Sequence, residues 1–110
     1  MKLNVFIDDE MRVVELPEGF VEEAEDFFAK MDADMDRGWQ MSRTWVDDLT
    51  PEMRCQVAAD RILTALHQDN EKMLMLMAGY ILSRLPGVTD VRIDTNGEML
   101  ETEFIIPSRL

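Results

Sequence analysis

At 110 residues, with 46% hydrophobic and 31% charged residues, the chain has the size and composition of one globular domain spanning residues 1–110. Its 23 acids against 11 Lys and Arg give a formal net charge of -12, which opposes direct nucleic-acid binding because phosphate recognition needs clustered cations. The longest uncharged apolar run, Met73 to Leu82, is shorter than the roughly 18 residues of a membrane span, and no basic region leads into an apolar leader at Met1 to Glu10. A cytoplasmic protein without membrane contact is expected.

The acidity is uneven, since residues 1 to 36 carry 12 acids against only Lys2, Arg12 and Lys30. Only three of the basic residues are lysine, and an acid-rich, lysine-poor surface fits a saline habitat as well as a binding role.

In chain order, Lys2 to Asp8 alternates Leu3, Val5 and Ile7 with Asn4, Phe6 and Asp8. With Met11 to Leu16 it reads as a β-hairpin turning at Asp8-Asp9-Glu10. After Pro17 the spacing of Phe20, Ala24, Phe27, Phe28, Met31 and Met35 predicts an amphipathic helix from Glu18 to Asp36, stopped near Gly38. A connector with Trp39 and Trp45 follows. Thr50-Pro51-Glu52 then supplies a capping hydroxyl, a proline at the first helical position and a first-turn acid, and predicts a second helix that ends near His67. Asp69 or Asn70 can cap a third helix, Glu71 to Leu85, which Pro86-Gly87 ends. Val88 to Asp94 and Glu98 to Ile106 flank Asn96-Gly97, a dipeptide suited to a tight hairpin.

The expected fold is α+β in the order β-β-α-α-α-β-β, with four mainly antiparallel strands in one sheet and helices packed on one face.

Motifs for chemistry are sparse. Asp32-Ala33-Asp34-Met35-Asp36 matches the start of a calcium loop, but Arg37 stands where the glycine belongs and Arg43 where the bidentate glutamate belongs. Met73, Met75 and Met77 diverge by about 200° per step on a helix and do not form a compact thioether chelate. The sole cysteine, Cys55, excludes an internal disulfide. It lies 12 residues from the sole histidine, His67, about 18 Å along a helix and too far for a nucleophile and base pair. Abundant acids single out no catalytic pair, and no phosphate loop or cofactor motif is present, so no cofactor, metal or catalytic residue is assigned.

Two features point to partner binding. Glu18, Glu22, Glu25, Asp32 and Asp36 fall on one helical stripe about 27 Å long, suited to a basic protein partner or to imitating nucleic-acid charge. The connector from Arg37 to Val46 contains no acid, and gathers Arg37, Trp39, Arg43 and Trp45, residue types enriched at interface hot spots. Arg37 and Arg43 could also pair with the acidic stripe. The third helix, apolar on many sides, suggests a homodimer using Met73, Leu76, Met77 or Tyr80. The expected function is a small acidic, non-catalytic protein-interaction or regulatory module that self-associates. Its alternatives are a DNA-charge mimic occupying a basic protein's nucleic-acid site, and a small-molecule enzyme with carboxylate acid or base groups.

Overall fold

The computed structural model describes residues 1–107. Strands β1 (Lys2–Ile7) and β2 (Glu10–Glu15) form the expected hairpin, closed by Asp8-Asp9 with Asp8 at φ 54°, a left-handed position that aspartate tolerates better than most side chains. Helices α1 (Phe20–Glu23) and α2 (Glu25–Met35) follow, then strands β3 (Trp39–Met41) and β4 (Thr44–Val46), helices α3 (Pro51–His67) and α4 (Glu71–Arg84), strand β5 (Asp90–Ile93), a 3-10 turn at Met99–Glu101 and strand β6 (Glu103–Ile105).

The α+β class stands, but the sheet is mixed rather than mainly antiparallel. Its order is β2-β1-β5-β6, and the central pair β1 and β5 runs parallel, with Val5 opposite Val91 and Ile7 opposite Ile93. The reason is the long path between them: the helices lie on one face, and the chain returns across that face to enter β5 alongside β1 in the same direction. Leu3, Val5, Val14, Val91 and Ile93 are buried toward the helices.

The expected first helix is interrupted at Ala24 (φ -89°, ψ 0°). The bend lets Phe20 and Phe28 both reach α4 at Gly79, where an added Cβ would lie 3.1 Å from Phe28 Cζ and 3.4 Å from Phe20 Cε1. The connector is itself structured, as the separate two-stranded sheet β3-β4.

Helix α3 begins as its sequence dictates, with the Thr50 hydroxyl accepting from the Met53 N–H at 3.1 Å and Pro51 in the first turn. Asn70, not Asp69, caps α4 by accepting from the Met73 N–H at 3.1 Å. The apolar girth of α4 is explained within the chain: Leu74, Met77, Ala78, Tyr80, Ile81 and Leu82 are all buried between α3, α1 and the sheet.

The last two strands pair antiparallel, with Val91 opposite Phe104, but Asn96-Gly97 does not form a tight hairpin turn. Instead the Asp94 carboxylate accepts from the N–H groups of Asn96 (3.0 Å) and Glu98 (2.8 Å), while the Thr102 hydroxyl accepts from the Asp94 N–H (3.0 Å). These side-chain bonds stabilise a wider loop. No helix among the described residues is long and apolar enough to cross a membrane.

Candidate functional site

The acidic stripe and the tryptophan connector are resolved into two different places. Three stripe members, Glu25, Asp32 and Asp36, are drawn into an ion-pair network with Arg54 of α3 and Arg84 of α4. Asp32 is its centre. Its Oδ1 accepts from the Tyr80 hydroxyl at 2.5 Å and lies 3.4 Å from Arg54 Nη1; its Oδ2 accepts from Arg84 Nε at 3.0 Å and pairs with Nη2 at 2.9 Å. Arg84 also forks onto both oxygens of Glu25 at 3.0 and 3.1 Å, and lies 5.2 Å from the centre of the Tyr80 ring and 5.8 Å from that of Phe28. Arg54 reaches Asp36 at 2.6 Å and the carbonyls of Leu49 (3.3 Å) and Asp32 (3.0 Å).

Burial alone would raise the pKa of Asp32, but the Tyr80 hydroxyl and the two guanidiniums outweigh it and hold the carboxyl below its ordinary value. Tyr80, buried and donating to a carboxylate, is pushed well above the usual phenol range. Arg84 is raised, chiefly by Glu25 and then by Asp32.

A cleft of about 370 Å³ opens beside this network, lined by Asp32, Leu49, Pro51, Arg54, Tyr80 and Arg84. Its cations are not free to take an anion, because the nitrogens of both arginines are already engaged by acids and carbonyls. Cys55 is fully buried, and burial followed by the nearby Asp32 charge pushes its thiol up to about 12, far from the thiolate a nucleophile requires. The network therefore braces α2 against α3 and α4. The same placement disposes of the calcium-loop resemblance, because Asp32 to Met35 is helical and Asp32 is engaged by arginine. Among the described residues, no three His, Cys, Asp or Glu side chains are placed to hold a metal ion.

The connector forms the second place. Ser42 and Arg43 are its two turn residues, and Ser42 at φ 58° with Arg43 outside the positive region has the pattern of a type II′ turn. The Ser42 hydroxyl accepts from the Met99 N–H at 2.9 Å, tying the turn to the 3-10 segment. Strand alternation sorts the side chains. Met41 is buried and Trp39 and Val46 are half-buried, with the Arg61 guanidinium 5.4 Å from the centre of the Trp39 ring. Gln40 and Trp45 sit opposite each other on the outer face, and Trp45 is 55% exposed.

The Trp45 indole is nevertheless fixed. Its N–H donates to Asp47 Oδ1 at 2.8 Å, and its six-membered ring packs on Gly38. Gly38 has φ 95°, and an added Cβ there would come within 2.7 Å of Trp45 Cζ2, so only glycine suits both the backbone and the ring.

No family model, no curated protein and no solved structure matches this chain.

Of the residues singled out in the sequence, Glu18 and Glu22 are exposed and outside the brace, as are Arg37 and Arg43. Neither Arg37 nor Arg43 forms an ion pair among the described residues. Arg54 and Arg84 take the stripe acids instead, and neither was visible as a partner, because they lie 22 and 52 residues from Asp32. Met77 and Tyr80, expected at a dimer interface, are fully buried inside the chain, and Met73 and Leu76 are half-buried.

Proposed function

We propose that this chain is a small cytoplasmic interaction module without catalytic chemistry, which contacts a protein partner through the β3-β4 hairpin with Trp45 as its hot spot. The supporting observation is the combination at Trp45 of 55% exposure with a fixed ring, held by Asp47 and seated on Gly38. An aromatic that loses little freedom on docking gives more affinity per area than a mobile one. Arg43 and Gln40, both exposed beside it, supply polar contacts at its rim.

The other readings draw less support. Imitation of nucleic-acid charge needs a row of free carboxylates, and Glu25, Asp32 and Asp36 are already neutralised by arginine. Carboxylate catalysis needs an acid or base free to exchange protons in a cleft, whereas the cleft acid Asp32 is locked by three donors. Self-association through Met77 or Tyr80 would require opening the core, so a second copy, if it is the partner, meets the hairpin instead.

The test is affinity capture of native partners from the source cells on immobilised protein, comparing the parent with Trp45→Ala and identifying what is retained. A partner held by the parent and lost by the variant, with unchanged thermal stability, supports the reading. Equal retention by both proteins overturns it.

A further inference from the structure

The hairpin carries more than an exposed ring. A two-residue connection makes Met41 and Thr44 the closing hydrogen-bonded pair, so Gln40 and Trp45 form the next, non-hydrogen-bonded pair, whose N–H and C=O groups point away from the partner strand. Among the described residues, no third strand joins this sheet and no further hydrogen bond takes the backbone N–H or C=O of Trp45. The outer edge of β4 therefore presents the backbone N–H and C=O of Trp45 beside its own exposed side chain. Just beyond, Asp47 and Asp48 are exposed and form no ion pair among the described residues. Asp47 spends Oδ1 on the indole N–H, which fixes the carboxylate at the ring edge and leaves Oδ2 open.

This arrangement has a definite complement. An indole face is the strongest aromatic partner for a cation, and a carboxylate anchored at its edge adds a charge-assisted hydrogen bond in the same place. The free backbone edge takes an extended segment by main-chain hydrogen bonding, with side chains alternating toward and away from the indole. At this edge the exposed Asp47 and Asp48 outnumber the exposed Arg43, and the charge of -12 on the whole chain adds to them in favouring a basic segment over an acidic one.

We propose that the β4 edge accepts an extended, cationic peptide segment of a partner protein as an added strand, with an arginine or lysine side chain seated between the open face of Trp45 and the carboxylates of Asp47 and Asp48. This rests on the hairpin being the contact surface, and specifies what that surface binds.

The experiment titrates isotopically labelled protein with an acetylated, amidated octapeptide of alternating arginine and threonine, following the backbone and indole resonances by NMR. Two control peptides replace arginine by glutamate, or methylate every backbone nitrogen of the arginine peptide. The arginine peptide should shift the Thr44 and Trp45 amides and the Trp45 indole. Affinity should fall by at least about tenfold for either control peptide. A similar loss is expected for Trp45→Ala and for the double variant Asp47→Asn with Asp48→Asn, neither of which should lower thermal stability appreciably.

Equal affinity for the glutamate peptide removes the cation site, and equal affinity for the methylated peptide removes strand addition. If the arginine peptide leaves Trp45 unmoved at millimolar concentration while capture of a native partner still depends on Trp45, this inference fails and the hairpin contact survives. If capture is indifferent to Trp45, the underlying reading fails.

Discussion

Replacing Asp32 by asparagine removes one charge from the centre of the brace while keeping the shape of the side chain. In the parent, that carboxylate accepts from Tyr80, Arg84 and Arg54, and the side chains of Asp32, Arg54 and Arg84 retain 28, 19 and 21% of their exposure. The environment is thus between a surface ion pair, worth about 0–1 kcal/mol, and a buried one, whose disruption costs about 3–5 kcal/mol. Asparagine can still accept from Tyr80 but offers no charge to either guanidinium, and an NH2 group must face one of them. A loss of about 2 kcal/mol at pH 7 follows, or a melting temperature lower by roughly 8 °C for a chain of this size.

The sign of its pH dependence is fixed by the depressed pKa of Asp32. The stabilisation is fully present above the ordinary carboxyl value near 3.8 and is lost as pH falls through the lower folded value. Urea unfolding of parent and Asp32→Asn at pH 7 and at successive steps below pH 4 should therefore show the two stabilities converging in acid. A difference below about 0.5 kcal/mol at pH 7, or one that persists undiminished once the carboxyl is protonated, would refute the argument.

Three further outcomes follow from the same structure. Trp39→Ala, which removes a half-buried ring and the stacking partner of Arg61, should lower stability by about 2–3 kcal/mol in chemical denaturation, while Trp45→Ala changes it by less than about 1 kcal/mol. Met77→Glu should abolish cooperative thermal unfolding rather than dissociate a dimer, because an unpaired acid would lie in a fully buried site. The Cys55 thiol, ordinarily near 9.0 and pushed up to about 12 in the fold, stays protonated where the unfolded chain ionises. Its share of the alkaline loss of stability, between about pH 9 and 12, is up to ~4 kcal/mol, and Cys55→Ala should make the alkaline slope in pH-dependent unfolding shallower while the raised Tyr80 phenol keeps part of it.

Elements specified by short-range signals were legible in the sequence. Thr50-Pro51 set the start of α3 and the alternation Leu3-Val5-Ile7 set β1, since a cap and a strand period depend only on neighbouring residues. The parallel pairing of β1 with β5 was not legible, because nothing within Lys2–Ile7 encodes which distant strand lies beside it. The bend at Ala24 is decided by rings converging on Gly79, more than 50 positions away in sequence.

For the candidate site, the clustering of arginine and tryptophan singled out the connector, in which Trp45 is the exposed tryptophan and Trp39 the half-buried one. The segment's form as a hairpin was missed because its strands are three residues long and its turn is Ser42-Arg43 rather than a glycine dipeptide. The alternation of Trp39 and Met41 about Gln40, and of Thr44 and Val46 about Trp45, was a signal present on either side of that turn. The acidic stripe was real as a pattern but mixed two roles: Glu25, Asp32 and Asp36 hold helices together, while Glu18 and Glu22 remain at the surface.

The central claim is that Trp45 carries the contact, and the most direct measurement is calorimetric titration of a purified captured partner into the parent, Trp45→Ala, and the double variant Glu18→Gln with Glu22→Gln. Trp45→Ala should weaken binding by at least about 2 kcal/mol, roughly 30-fold, and the glutamine variant by no more than about twofold. A Trp45→Ala protein that binds within twofold of the parent, especially if the glutamine variant has lost affinity, would place the contact on the acidic surface and contradict the account.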